Sequence, residues 1–279
     1  MQIRQGRMGQ VVSVSSLKGG VGKTSVILGF ASAAQAAGLR SLIIDIDPHG
    51  DASTGLGAPS SSPEVGELLL SPNSASLEDA AAPASWSALG SLGNASVTGL
   101  DAGTWVVRGS ARSMAFENLP YAQALGALPS LVDPVRPLFD LILVDCPPTL
   151  GRLTETAWAA SDRVVSVAEP SLFSVAGTER TLRAIARFEA STDYSVGSAS
   201  VLINKVRPTD PEHMYRAEEM RVLFGDLVAT PTIPETPIFQ RIQGAAYPVH
   251  YWPEAAAQPV ASAFTLLLSG LMSSVSSAS

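Results

Sequence analysis

The stretch QVVSVSS, residues 10–16, running directly into LKGGVGKTS, residues 17–25, decides the fold. Its first half alternates apolar and small polar residues and is read as a strand. Its second half is a glycine-rich turn. Val26–Ala37 is alanine-rich and apolar at helical spacing, with Gly38 as its C-terminal stop. SLIIDI, residues 41–46, is a continuous apolar run of the kind shown by a parallel strand buried on both faces. Strand, loop, helix and strand in so short a span make a βαβ unit.

A glycine-rich loop between a strand and a helix is the setting of a phosphate site. Gly19, Gly20 and Gly22, with Val21 between them, let backbone N–H groups turn inward around phosphate oxygens. The helix N-terminus adds its positive end. Lys23 is expected to reach the β- and γ-phosphates, Thr24 to offer its hydroxyl to Mg²⁺, and Ser25 to complete the nucleotide-binding set.

Outward from the loop the same grammar continues. FDLILVD, 139–145, is a second buried strand ending in an acid. Trp105–Arg108, Val164–Ala168, Ser200–Asn204 and Leu227–Ile233 read as further strands. Leu119–Leu131, Ser171–Ala190 and Pro211–Phe224 have helical periodicity. The expected fold is α/β, a mostly parallel twisted sheet with helices on both faces, in one domain over 1–279. Residues 57–104, poor in charge and rich in Ala, Ser, Gly and Pro, are expected to be a surface excursion, with short helices at Glu64–Leu70 and Ser76–Ala82. The last helix, Ala257–Met272, collects Val260, Phe264, Leu267, Leu268 and Leu271 on one face. It reads as a core-covering helix, since no Lys or Arg after Arg241 offers the basic face of an interfacial anchor.

Composition narrows the classes. With 46 % hydrophobic and 15 % charged residues the chain is not disordered. Its single cysteine, Cys146, excludes a disulfide framework, a Cys-based zinc site and a self-contained iron–sulfur cluster. No apolar run reaches the roughly 18 residues a spanning helix needs. A net charge of −7 argues against wholesale coating of nucleic acid, though not against a local basic patch. Of 18 basic residues only Lys18, Lys23 and Lys205 are lysine, and two of those lie in the glycine-rich loop.

The loop departs from the ordinary G-x-x-x-x-G-K-[ST] pattern: Leu17 stands at the first glycine position and Lys18 follows it. In this the sequence resembles the ParA/MinD family of deviant Walker A ATPases, of the SIMIBI-like P-loop NTPases. The resemblance extends to Asp45–Gly57 and Phe139–Thr156. It implies ATP and Mg²⁺ as ligands. Lys18 is then the signature lysine that crosses a sandwich dimer to the partner's nucleotide, like an arginine finger supplied in trans. Asp45-Ile46-Asp47-Pro48-His49-Gly50-Asp51 matches switch I. By that match Asp47 acts on the attacking water and Asp45 holds a water on Mg²⁺; His49 and Asp51 stand where the family has Gln and Asn. Asp145 matches the Walker B acid beside the metal, and Leu150–Thr156 matches switch II. Asn204 and the Pro234 of Ile233-Pro234 are expected to line the adenine.

ParA-type members bind DNA without sequence preference through surface basic residues. Arg207, Arg216, Arg221 and Arg241 are the candidates here, and Arg180, Arg183 and Arg187 form a further helical stripe. A second DNA-contacting position falls on Ile238. The resemblance implies a ParB-like or cargo-adaptor protein that stimulates hydrolysis, a cytoplasmic, nucleoid-associated location without membrane, and an output of DNA segregation or cargo positioning. A MinD-like membrane-associated positioning ATPase and a small-molecule P-loop enzyme, such as a dethiobiotin-synthetase relative, are the alternatives. A bacterial-type tyrosine kinase is disfavoured because the five tyrosines do not cluster at a terminus.

Overall fold

The computed structural model describes residues 8–72, 74–87, 89 and 103–273. In chain order its elements are β1 (Gln10–Ser15), α1 (Lys23–Ala36), β2 (Arg40–Asp45), α2 (Asp51–Gly55), α3 (Val65–Leu70), α4 (Leu77–Ala80), β3 (Ala82–Pro83) and β4 (Gly103–Val107). There follow α5 (Tyr121–Val132), β5 (Leu141–Asp145), α6 (Arg152–Ala160), β6 (Arg163–Ala168), α7 (Leu172–Ser191), β7 (Ser198–Ile203), α8 (Pro211–Phe224), α9 (Pro237–Gly244) and α10 (Gln258–Ser273). The sheet order is β3-β4-β2-β5-β1-β6-β7. All pairings are parallel except that of the two-residue edge strand β3, which runs antiparallel to β4.

The strands are apolar throughout because each is buried on both faces, and the period of two sends neighbours to opposite layers. Val12, Val14, Ile43, Leu141 and Leu143 join the layer that contains α1 and α10. Val11, Leu42, Ile44, Ile142 and Val144 join the layer of α3, α5 and α6. The sheet order places β1 between β5 and β6, with β3, β4 and β2 beyond β5 and β7 beyond β6. The crevice at the carboxyl end of β1 is therefore the place where an open α/β sheet takes its ligand.

Three expectations change. Leu227–Ile233 is not a strand: a 3-10 turn at Gly225–Leu227 leads into backbone that meets β7 and its extension only at isolated bridges, Val201 to Val228 and Val206 to Pro234. Pro231 and Pro234 lack the N–H groups that a continuous ladder needs. The segment 57–104 is more than a surface excursion. Among its described residues Leu68, Leu69, Leu77 and Trp86 are buried, and the Trp86 carbonyl accepts a 2.9 Å hydrogen bond from Gln35 of α1. Residues 90–102 of that segment lie outside the described residues. Finally, Ala255–Ser273 does have the length and apolarity to cross a membrane. Yet Val260, Phe264, Leu267, Leu268 and Leu271 are buried in the core, as the amphipathic pattern implies for a covering helix.

The α1–α10 contact depends on Gly29. A Cβ there would lie 2.2 Å from the Phe264 ring, which also packs edge-on to Phe30 at 5.6 Å. Glycine inside a helix costs about 1 kcal/mol relative to alanine, so the gain must come from close packing. Gly29→Ala should therefore destabilise the protein by about 1–3 kcal/mol through overpacking, despite its better helix propensity. A denaturant midpoint equal to or above that of the wild type would show that the two helices have room to part.

Candidate functional site

The loop after β1 is shaped by glycines in left-handed backbone, Gly20 at φ 79° and Gly22 at φ 94°. Gly22 meets a second constraint: a Cβ there would lie 2.4 Å from the Asn204 side-chain nitrogen. Gly22 is also the N-cap of α1, with no side-chain cap and no acid in the first turn. The open N–H groups and the helix dipole therefore face the cleft uncompensated, an arrangement suited to an anion. Lys23 is buried, and none of the ion pairs among the described residues uses it.

The cleft in front of the loop holds about 400 Å³ and is lined by Gly19, Gly20, Gly22, Lys23, Thr24, Ser25, Asp47, His49, Asp51, Pro148 and Lys205. That volume is within the range of small-molecule sites. Beneath it lie two acids. Asp45 and Asp145 are the last residues of β2 and β5 and stand opposite each other in the parallel register. Both are fully buried. Ser53 donates to Asp45 Oδ2 from its N–H at 2.8 Å and its hydroxyl at 2.6 Å, and Thr24 donates to Asp145 Oδ2 at 2.8 Å. The other oxygen of each carboxylate has no hydrogen-bond partner among the described residues. Burial raises the Asp45 carboxyl from the ordinary 3.8 to about 6. Burial, with repulsion from Asp45, holds Asp145 well above its ordinary value.

Two orphaned carboxylate oxygens beside a threonine hydroxyl and a phosphate loop fit Mg²⁺, which keeps most of its waters and needs only one or two carboxylates near it. The described residues contain no group of three or more His, Cys, Asp or Glu side chains able to hold a metal by themselves.

Asp47 is buried at the cleft wall. Its Oδ1 accepts two hydrogen bonds from residue 49, one from the backbone N–H at 3.0 Å and one from ring Nδ1 at 2.9 Å. That bond and the charges of Asp47 and Asp51 raise the His49 pKa. Asn204, expected at the base, is buried and donates to the Val21 carbonyl at 2.8 Å. Pro234 bridges Val206, two residues beyond Asn204. Lys18 points away from the cleft: its ammonium pairs with Glu169 and lies 3.3 Å from the Ser171 hydroxyl at the start of α7.

The arginines lie apart from this group, each beside a carboxylate. Arg207 reaches Asp210 at 3.3 Å and Glu235 at 3.0 Å. Arg216 reaches Glu212 at 2.7 Å and Glu219 at 2.9 Å, Arg221 reaches Glu218 at 3.2 Å, and Arg241 reaches Glu254 at 2.8 Å. On the α7 stripe Arg183 pairs with Glu179. Ile238 is buried and adds nothing to the surface.

Four contributors escaped the sequence. Ser53 secures Asp45 and accepts from the Gly109 N–H at 2.9 Å. Glu117 accepts from the Arg152 and Leu153 N–H groups at 2.8 and 3.2 Å, and so caps α6 within the stretch matched to switch II. Glu169 holds Lys18. Lys205 contacts the loop itself, and only the rarity of lysine in the chain pointed to it.

A P-loop NTPase site on a parallel α/β sheet is thus defined by geometry. The chain matches the AAA_31 family, an AAA domain, over residues 9–197 and belongs to it, within the ParA/MinD family of ATPases. It is 26 % identical over 229 residues to the sporulation initiation inhibitor protein Soj of Bacillus subtilis (strain 168), a match covering 81 % of this chain and 85 % of Soj. Among solved structures its fold is similar to a Cyanothece McdA variant in complex with ATP, with TM-score 0.77, 18 % identity, and 95 % of this chain and 98 % of the other covered. It is also similar to cobyrinic acid a,c-diamide synthase from Mycobacterium smegmatis with bound ADP and magnesium, with TM-score 0.73, 21 % identity, and 98 % and 97 % covered.

The buried acids carry a testable cost. The folded chain holds the Asp45 proton more tightly than the unfolded chain, so the penalty is absent below pH 3.8 and complete above about pH 6. Two pKa units correspond to about 3 kcal/mol. Asp45→Asn should raise the melting temperature of the nucleotide-free protein at pH 7.5 and do so much less at pH 4.5. A variant no more stable than the wild type at pH 7.5 would show that the carboxylate is not under strain.

Proposed function

We propose that residues 1–279 form one ParA-like ATPase domain, in which ATP draws two copies into a sandwich dimer and hydrolysis releases them. The observation that carries this reading is the division of labour between two lysines. Lys23 is buried at its own cleft, whereas Lys18 is turned outward and held by Glu169 and Ser171. A lysine that neutralises phosphate charge only in a second copy would make ATP the bond between subunits.

Lys23 and the N–H groups of the loop bind the triphosphate. Thr24, with Asp45 and Asp145 behind it, would hold Mg²⁺. When bound, that ion would neutralise charge on the β- and γ-phosphate oxygens. Asp47, fixed by both donors of His49, orients the attacking water and polarises it. Turnover in this reading is slow and waits for a stimulating partner of ParB-like or cargo-adaptor type. Nucleoid-associated DNA is the proposed surface for the dimer, bound through backbone charge alone.

Two experiments test this. Lys18→Ala should bind ATP as a monomer but fail to double its mass in light scattering, on an Asp47→Ala background that binds ATP without turning it over. Uncompensated phosphates facing each other across an interface are costly. A Lys18→Ala protein that still dimerises with ATP would favour a small-molecule enzyme instead.

DNA retention tests the surface. The candidate arginines must exchange their carboxylate partners for phosphates, so charge reversal at Arg207 and Arg221 together should reduce ATP-dependent DNA binding and flatten its salt dependence. Wild-type retention at both low and high salt would remove this surface from the mechanism.

A further inference from the structure

All three lysines of the chain converge on the phosphate loop: Lys18 and Lys23 belong to it, and Lys205 reaches it from the end of β7. Lys205 Nζ donates to the Gly20 carbonyl at 2.6 Å, and its Cε would lie 3.6 Å from a Cβ on Gly22. The residue before it, Asn204, donates to the Val21 carbonyl at 2.8 Å. Two consecutive residues thus hold two consecutive carbonyls of the loop. Lys205 does so from left-handed backbone, φ 57°, a conformation that only Ala246 shares among the described non-glycine residues. Such backbone is unfavourable for a long side chain and persists where the surroundings enforce it, commonly at functional sites.

The geometry points to Asn204–Lys205 as a clasp that presets the loop for phosphate, with Lys205 as a positioning residue that acts through Gly20. The physical reason is the planar trans peptide. Within one unit the C=O and the following N–H point in opposite directions. Drawing the Gly20 and Val21 carbonyls toward β7 turns the N–H groups of Val21 and Gly22 the other way. No hydrogen bond among the described residues uses either N–H. Without the clasp the glycines at 19, 20 and 22 leave the loop free to rotate its peptide planes, and phosphate must order them on binding. The inference rests on the proposed nucleotide site and adds a residue that the deviant loop pattern does not contain.

The test compares Lys205→Gly, Lys205→Met and Lys23→Ala in the full-length chain. Affinities for ATP and for inorganic tripolyphosphate are measured by calorimetry, and melting temperatures without nucleotide. Loss of one charge-assisted hydrogen bond that orders the loop should weaken ATP binding about tenfold in both Lys205 variants. Tripolyphosphate should weaken by the same factor, because the clasp serves the phosphates and not the nucleoside. Lys205→Gly removes the backbone strain, so its melting temperature should equal or exceed that of the wild type while its affinity falls. A merely structural lysine would lower stability and affinity together, and that result would overturn the proposal. So would wild-type affinity in both variants, or a loss confined to ATP. If Lys23→Ala loses ATP while the Lys205 variants do not, the clasp alone fails. If Lys23→Ala binds ATP like the wild type, the nucleotide-site reading fails with it.

Discussion

Two carboxylates buried side by side set the terms for the rest of this structure. Asp45 and Asp145 meet because β2 and β5 pair in parallel with those residues in register at their carboxyl ends. Neither has a cation within its own hydrogen-bonding set; Ser53 and Thr24 satisfy one oxygen each and leave the other bare. A hydrophobic sheet interior is a poor place for such a pair. The arrangement stores unfavourable electrostatic energy that a cation at the loop can relieve, and the surrounding apolar layers keep it from relaxing. Stability withheld at a site in this way is the usual cost of preorganisation.

The cations are distributed to match. Lys23 is buried near the acids, Lys205 is tied to a loop carbonyl, and Lys18 is parked on Glu169 outside the cleft. A chain that uses arginine almost everywhere else has lysine at these three points. A compact ammonium can donate to a single carbonyl or slip beside a phosphate where a planar guanidinium would spread across several acceptors. In the proposed dimer the Lys18–Glu169 pair must open before Lys18 can serve another subunit. The contact is partly exposed, so opening it exchanges one screened pair for another and does not demand a large rearrangement.

The arginines follow the opposite rule. Arg207, Arg216, Arg221 and Arg241 all lie next to glutamates or aspartates, as expected for a surface whose net charge is −7. Interspersed pairs keep a surface soluble and weaken any single-sign field. Nucleic acid binding on such a face depends on density of phosphate and on low salt more than on a preformed basic patch.

Much of this was legible in the one-dimensional pattern. The strand–loop–helix–strand unit, the glycines, Lys23 with Thr24, and the two apolar strands ending in acids are local features, and local periodicity encodes them directly. The Leu227–Ile233 strand failed because an apolar run reports burial and not a ladder, and the prolines at 231 and 234 withhold N–H groups. Asn204 reads as a base contact because an amide suits adenine; its bond to the Val21 carbonyl is a long-range contact that the sequence does not show. The sequence by itself determined which residues would stand at the ends of strands and in the loop. Only the tertiary structure decided which of them meet. Thr24 with Asp145, Lys18 with Glu169 and Lys205 with Gly20 are joined across 121, 151 and 185 positions. Such contacts follow from strand order and register, which depend on the packing of whole layers and leave no periodic trace along the chain.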